Sequence, residues 1–254
     1  MFADATFEID DEGNPYWICA RLDKTIGLFG GTDVIGAVVV KADSETGESA
    51  YYTIDEIKTM DELQWLDRIY DSDLIVQQYN FYGKYQNGFW NSVLGQRDVI
   101  TTTANYNYIA KDDDVWMYTG VTSVTSDQSI TGFVLVNQRT KEAIYYRVTG
   151  GTEYSAQQAA EGRVKDLGYD ATFPLLLNIG GEPTYFLSLK DDSNIVQQYA
   201  LINVAQYNNN KMGATGTDLA KCLASYVSAL EESGIKVDID PSQVVDPVTP
   251  EANE

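Results

Sequence analysis

The hydrophobic positions of this chain fall into short runs separated by polar turns, a pattern that predicts antiparallel hairpins. Ile35 to Val40 and Ile130 to Val136 are two β-branched runs. Polar segments follow them, Asp43-Ser44-Glu45-Thr46-Gly47 and Asn137-Gln138-Arg139-Thr140, and then tyrosine-rich runs. Thr46-Gly47-Glu48-Ser49-Ala50-Tyr51-Tyr52-Thr53-Ile54 matches Thr140-Lys141-Glu142-Ala143-Ile144-Tyr145-Tyr146-Arg147-Val148 in the spacing of Thr, Glu, Tyr-Tyr and a final aliphatic. This internal repetition predicts two hairpins of one kind.

A second strand-turn-strand pattern occurs three times. Phe7-Glu8-Ile9, Asp10 to Asn14 and Pro15-Tyr16-Trp17-Ile18 form the first copy. Tyr108-Ile109-Ala110, Lys111 to Asp114 and Val115-Trp116-Met117-Tyr118 form the second. Leu175 to Ile179, Gly180-Gly181-Glu182 and Pro183 to Leu187 form a looser third. An aromatic lies just past each turn, where it would pack one face of a sheet.

Helical spacing appears between these blocks. Ile57, Met60, Leu63, Leu66, Ile69, Tyr70 and Leu74 recur every three or four residues, which predicts one amphipathic helix. Residues 153–167 are rich in Ala and Gln and favour helix. A third helix is expected from Leu219, with Thr217 as N-cap and Gly234 as stop. Ile-Val-Gln-Gln-Tyr occurs at 75–79, where it ends a helical pattern, and at 195–199, where it leads into a strand-like run. The two copies are therefore not expected to be structurally equivalent.

The predicted fold class is α+β: two or three related units of antiparallel β-hairpins, each with a covering helix, and an acidic disordered C-terminal tail. The expected boundaries are 1–95, 96–168 and 169–234 for the units and 235–254 for the tail or linker, which holds Pro241, Pro247 and Pro250.

Composition narrows the function. The 38 acidic residues against 17 basic ones give a net charge of −21, so phosphate backbones and anionic membranes are repelled and no nucleic-acid partner is expected. Histidine is absent, which removes Ser-His-Asp and Cys-His catalysis. Cys19 and Cys222 are too few for a zinc site; the sequence leaves them as one disulfide or two buried thiols, and the reading leans to free thiols. No apolar stretch nears the roughly 20 residues of a membrane span, so direct insertion is not expected. Met1 to Ala5 lacks signal-peptide features, which leaves a cytoplasmic chain or an anchor upstream.

Three candidate sites emerge. Tyr79, Phe81, Tyr82, Tyr85, Phe89 and Trp90 form an aromatic-dense segment among amides. Large aromatics are mostly buried, so the simplest reading is a connection covering the sheet. The functional reading makes Tyr82, Tyr85, Phe89 and Trp90 a carbohydrate- or peptide-binding surface. Asp10, Asp11, Glu12 and Asn14 offer oxygens to calcium, although their spacing is not that of an EF-hand and suits a hairpin turn. Asp112-Asp113-Asp114 and Asp191-Asp192 read the same way. Gly27, Gly30 and Gly31 lack a phosphate-loop pattern and read as a tight turn. Carboxylate pairs for a hydrolase are too numerous to single out.

Glu12-Gly13-Asn14-Pro15-Tyr16-Trp17, Ile26-Gly27-Leu28-Phe29-Gly30-Gly31, Asn87-Gly88-Phe89-Trp90-Asn91-Ser92 and Val115-Trp116-Met117-Tyr118-Thr119-Gly120-Val121-Thr122-Ser123-Val124 carry a resemblance. With Val136 to Glu142 and Ala171 to Asn178, they resemble a family of large, membrane-anchored Firmicutes proteins often labelled "Tat pathway signal sequence". The hairpin with its Thr-Gly-Glu turn is also similar to PepSY-type repeats. The resemblance implies an extracytoplasmic, membrane-proximal setting with an N-terminal anchor, and it implies no catalytic residue. The expectation is a non-enzymatic cell-envelope interaction or scaffolding module. Its partner would be a protein or an envelope component, and its only cofactor, if any, calcium.

Overall fold

The computed structural model describes residues 1–25, 31–43, 46–96, 98–103, 105–124 and 129–237. The expected glycine turn at Gly27 and Gly30, and the acidic tail beyond Val237, lie outside the described residues. The fold is α+β, with antiparallel sheets and short helices. The chain divides into two compact units, Met1–Val124 with Phe133–Tyr146, and Thr125–Gly132 with Arg147–Glu254.

The first unit opens with β1 (Thr6–Ile9), β2 (Pro15–Lys24), β3 (Thr32–Lys41) and β4 (Ser49–Thr53), paired in that order. Alternation places Ile18 and Ala20 of β2 and Ala37 and Val39 of β3 on the buried face. Then follow α1 (Ile54–Thr59), α2 (Ser72–Tyr85), β5 (Ile100–Thr102), β6 (Asn107–Lys111), β7 (Asp114–Ser123), β8 (Ser129–Asn137) and β9 (Ala143–Tyr146). In this second sheet β7 lies between β5 and β8, β6 also pairs with β7, and β9 pairs with β8. The Phe133–Asn137 half of β8 belongs to this unit.

The turns obey backbone chemistry. Between β6 and β7 only Asp112 and Asp113 intervene, at φ 53° and 62°. Two consecutive positive-φ residues give a loop whose twist matches the flanking strands, and Asp is among the residues that accept it. In the β1–β2 turn Gly13, at φ +87°, donates its N–H to the Asp10 carbonyl at 3.0 Å. The tyrosine pairs of the two matched segments sit on returning strands: Tyr51 faces Val38 in β4, and Tyr145 faces Val134 in β9.

The helix predicted from Ile57 through Leu74 is not continuous. Thr53 and Glu56 form a capping box that starts α1, but Met60 is extended (φ −86°, ψ 124°) and ends it. Leu63, Leu66, Ile69 and Tyr70 are buried all the same. Asp61–Leu63 form a 3-10 turn, and the Leu66 N–H bonds the Leu63 carbonyl at 3.2 Å, but the N–H groups from Asp67 to Tyr70 turn to tertiary partners. The Glu8 carboxylate accepts the N–H groups of Asp67 (2.9 Å) and Arg68 (3.1 Å). The Gln138 carbonyl accepts those of Ile69 (3.1 Å) and Tyr70 (2.7 Å). The Gln138 side chain donates to the Tyr70 carbonyl at 3.0 Å and to Ser72 Oγ at 2.8 Å. Asp71 then caps α2 through Asp73 N–H and Leu74 N–H.

A polar knot holds the β7–β8 end of the sheet. Arg139 grips Asp114 with two bonds of 2.7 Å, and Asn137 adds a third at 2.8 Å. Burial opposes the charge on Asp114, but these donors outweigh it and hold the carboxyl below the usual range. Burial also pushes Glu8 up, against the two backbone donors that pull it down.

In the second unit β10 (Gly150–Gly151) pairs with Ser129 and Ile130 at the start of β8. Next come α3 (Glu153–Arg163), β11 (Asp170–Ala171), β12 (Leu175–Ile179), β13 (Glu182–Lys190), β14 (Val196–Asn203), β15 (Gly213–Gly216) and α4 (Leu219–Glu232). The sheet runs β11-β13-β14-β15, with β12 also on β13. The β12–β13 turn is Gly180-Gly181, at φ 62° and 88°. Thr152 caps α3 through Ser155 N–H at 3.2 Å. Asp218, one residue after the expected Thr217, caps α4 through Lys221 N–H at 2.9 Å. Gly234 ends α4 at φ +86°, and Ile235 N–H returns to the Leu230 carbonyl at 3.0 Å. Leu230, Tyr226 and Cys222 face inward, and the Tyr226 hydroxyl shares a 2.8 Å bond with Thr184 Oγ1. Both cysteines are free thiols.

Two measurements test this account. Gln138→Leu strips the donor from the buried Tyr70 carbonyl and from Ser72, and is expected to cost about 2 kcal/mol in urea unfolding. A loss below about 0.5 kcal/mol, the ordinary surface value, would show that the side chain holds nothing. Asp114 ionises more readily folded than unfolded, so its contribution is present above the ordinary Asp pKa of about 3.9 and fades as pH falls through its lower folded value. The stability gap between the parent and Asp114→Asn is therefore expected to be wide at pH 7 and to narrow toward pH 3. A gap independent of pH would refute that assignment.

Candidate functional site

Helix α2 is held on β5 at two points. At Gly83 an added Cβ would come within 2.3 Å of the Ile100 carbonyl, so the helix backbone lies directly on the strand. One turn earlier, Asn80 Oδ1 accepts Thr102 N–H at 2.8 Å and the Thr101 hydroxyl at 3.0 Å. Ser72, Ile75 and Gly83 are buried on this side, and Tyr79 packs against the core. Burial pushes the Tyr79 phenol up to about 12, with Tyr145 and Tyr82 adding to the shift, so it stays neutral at ordinary pH.

The opposite side faces out. Trp90 is 73% exposed, Phe89 61%, Tyr82 60% and Phe81 52%, and Tyr85 is exposed beside them. The expectation that these aromatics cover the sheet is therefore overturned. Close backbone seating at Gly83 fills the inner side of the helix and leaves no room there for large rings. Past Tyr85 the chain turns at Gly88 (φ +87°) and enters a π-helical turn, Asn91–Gly95. That brings Phe89 and Trp90 beside the helix. Phe81 and Tyr85 lie 6.4 Å apart with planes at 22°, Tyr85 and Phe89 6.4 Å apart at 8°, and Phe89 and Trp90 5.8 Å apart at 75°. Lys84 Nζ lies 5.3 Å from the Tyr85 ring centre. Exposed Val93 extends the row. Of the neighbouring amides, Asn80 is committed to β5 and Gln86 donates to the Asp98 carbonyl at 3.2 Å, whereas Asn87 is exposed.

Of the four residues singled out in the sequence, Tyr85, Phe89 and Trp90 share one exposed row of rings, and Tyr82, also exposed, lies 6.2 Å from the Tyr79 ring. Val93 was missed, although it continues the four-residue spacing of Phe81, Tyr85 and Phe89. A second exposed aromatic pair lies on the outer face of the first sheet, where Phe7 and Trp17 meet edge to face at 5.2 Å.

The acidic turns use their own carboxylates. Asp10 Oδ1 accepts Glu12 N–H (3.0 Å) and Asn14 N–H (2.8 Å), and Oδ2 accepts Asn14 Nδ2 at 2.8 Å. The bond from the Asn14 side chain leads in holding Asp10 below the usual carboxylate range. Asp191 does the same with Ser193 N–H (2.9 Å), Ile195 N–H (3.1 Å) and Gln197 Nε2 (2.7 Å). Asp11 and Glu12 are exposed at their turn. Among the described residues no three Asp, Glu, Cys or His groups converge as a metal cluster.

A cleft of about 510 Å³ opens in the first unit beside Thr6, Arg68, Asp71 and Asp73. Of the carboxylates that line it, Asp71 caps α2, Asp73 accepts the Tyr106 hydroxyl at 3.2 Å, and Asp4 is exposed. No helix among the described residues is long and apolar enough to cross a membrane. Comparison with protein families, with curated proteins and with solved structures finds no match.

Because the Trp90 ring rests on the surface, Trp90→Ala is expected to shift unfolding free energy by no more than about 0.5 kcal/mol. Gly83→Ala drives a methyl into the β5 backbone and is expected to cost about 1–3 kcal/mol. Urea titration of the two variants checks both, and the reverse order would mean that the helix faces the other way.

Proposed function

We propose that this chain is a non-enzymatic interaction or scaffolding module of the cell envelope, and that residues 81–93 are its contact surface. One observation carries the reading: Phe81, Tyr82, Tyr85, Phe89, Trp90 and Val93 stand exposed on one continuous segment. Contiguous apolar surface of that kind is uncommon on a protein that works alone, and aromatic anchors dominate binding energy at interfaces. The rings bury large area at low entropic cost when a partner covers them. The partner is a protein or another envelope component. The net charge of −21 disfavours nucleic acid and anionic lipid. The resemblance to anchored Firmicutes proteins supports an extracytoplasmic setting beside the membrane.

A second reading is favoured by the near-parallel Tyr85 and Phe89 rings and by exposed Asn87. Flat aromatic faces beside an amide suit the apolar faces and hydroxyls of a sugar polymer. The surface then binds envelope glycan.

Retention separates the outcomes. The parent chain is expected to be retained on envelope material, and Phe89→Ala with Trp90→Ala is expected to lower retention at least tenfold while the circular dichroism spectrum is unchanged. Retention on protein-free wall glycan selects the sugar reading, and retention only on protein-containing envelopes selects a protein partner. Equal retention of parent and double variant would reject this surface altogether.

A further inference from the structure

The second unit holds a groove of about 330 Å³ that the described chain reaches but does not fill. Leu175, Leu177 and Ile179 of β12 wall one side, and Leu219 and Leu223 of α4 wall the other. Every residue that lines it is apolar. After α4 the chain turns at Gly234 and comes back onto the cluster that holds Ile179 and Leu223, where Ile235 and Val237 pack. Both are half-buried, and Lys236 between them is exposed. Val237 lies against the β12–β13 turn: a Cβ added to Gly180 would come within 2.4 Å of Val237 Cγ1 and 3.2 Å of its Cα. The last described residue thus stands at the Ile179 end of the groove.

We propose that the chain beyond Val237 continues as an edge strand antiparallel to β12 and lays Ile239 into this groove. The sequence keeps the observed alternation going. Ile235, Val237, Ile239 and Pro241 occupy one set of alternate positions, and Lys236, Asp238, Asp240 and Ser242 the other. In a strand the two sets lie on opposite faces. Ile235 and Val237 fix which set is inward, so Ile239 is the next inward residue. At about 3.3 Å per residue it falls about 7 Å past Val237, alongside the leucines of β12. The chain has been brought to the turn end of β12, so a segment laid along that strand runs back toward Leu175. Backbone pairing suits the same path. A two-residue turn makes Ile179 and Glu182 a hydrogen-bonded pair, so the backbone groups of Leu175, Leu177 and Ile179 face β13 and those of Asn178 face the outer side. No other described strand lies along that outer side. Asp238 and Asp240 then stand in water, where charge protects a sheet edge. Pro241, which has no N–H to give, ends the pairing. A segment tethered at the mouth of the groove also has a concentration advantage over any free occupant.

Magnetic resonance of the full chain with labelled methyl groups tests this. Nuclear Overhauser contacts are expected from the Ile239 methyls to leucine methyls of both β12 and α4. Their absence would overturn the proposal. So would contacts found only between differently labelled chains in a mixed sample, which would give the groove to a second copy. Ile239→Asp puts a charge into the apolar groove and is expected to speed amide exchange in β12 about tenfold or more while β14 is unchanged. Asp238→Asn alters only the outward set and is expected to leave β12 as in the parent. Exchange untouched by Ile239→Asp, or raised equally by Asp238→Asn, would refute the strand. If Ile239→Asp does not fold, Ile239→Ala removes the bulk without adding charge, and faster β12 exchange is expected from it too.

Discussion

In the first unit a short irregular stretch carries core side chains, and the backbone donors of its second half have no helix or strand to pair them. Residues 64–71 carry Leu66, Ile69 and Tyr70 into the core, and past Leu66 the N–H groups from Asp67 to Tyr70 all bond to residues distant in sequence. A buried unpaired amide costs as much as a lost core contact, so such a stretch needs dedicated partners. Glu8 supplies them at one end and Gln138 at the other, each reaching across about sixty residues of chain or more. Gln138 is fully buried and serves with its backbone and side chain together. The covering layer over the first sheet is thus fastened by polar groups, and its leucines and isoleucines fill the space so enclosed.

The same logic explains how α2 presents its aromatics. A helix carrying rings all round would ordinarily bury the largest of them. Here the smallest residue, Gly83, takes the inner position, and Asn80 fixes the rotation through three bonds to Thr101 and Thr102. Tyr82 and Tyr85, flanking Gly83, are then turned outward. The contact surface and the seat beneath it are two readings of one helical phase.

Hairpins were the most legible part of the sequence. Asp112-Asp113 and Gly180-Gly181 tolerate the left-handed backbone that two-residue turns demand, and strands form on both sides of each. Periodicity misled at Ile57 to Leu74, because burial at three- and four-residue intervals also arises in an irregular segment pinned from outside, and the partners Glu8 and Gln138 are remote in sequence. Ile-Val-Gln-Gln-Tyr makes the point sharply: at 75–79 it lies within α2, and at 195–199 its last four residues open β14. Neighbouring strands and caps decide between the two. The aromatic segment was legible as a cluster, but its exposure was not, since the seat at Ile100 is a tertiary contact. The apolar groove of the second unit left no sequence signal at all, because its residues come from three strands and a helix that only the fold assembles.

Cys222 lies on the buried face of α4, and burial raises its thiol to about 11, against the smaller opposing pull of the neighbouring backbone and Arg163. At neutral pH almost none of it is thiolate, the form that attacks electrophiles and disulfides. Cys19 sits half-covered in β2. A maleimide or a spin label offered to the native chain would therefore discriminate between the two sulfurs. The more accessible of the two thiols thus sits on the first sheet, and the one in the second unit is held as a buried, protonated thiol.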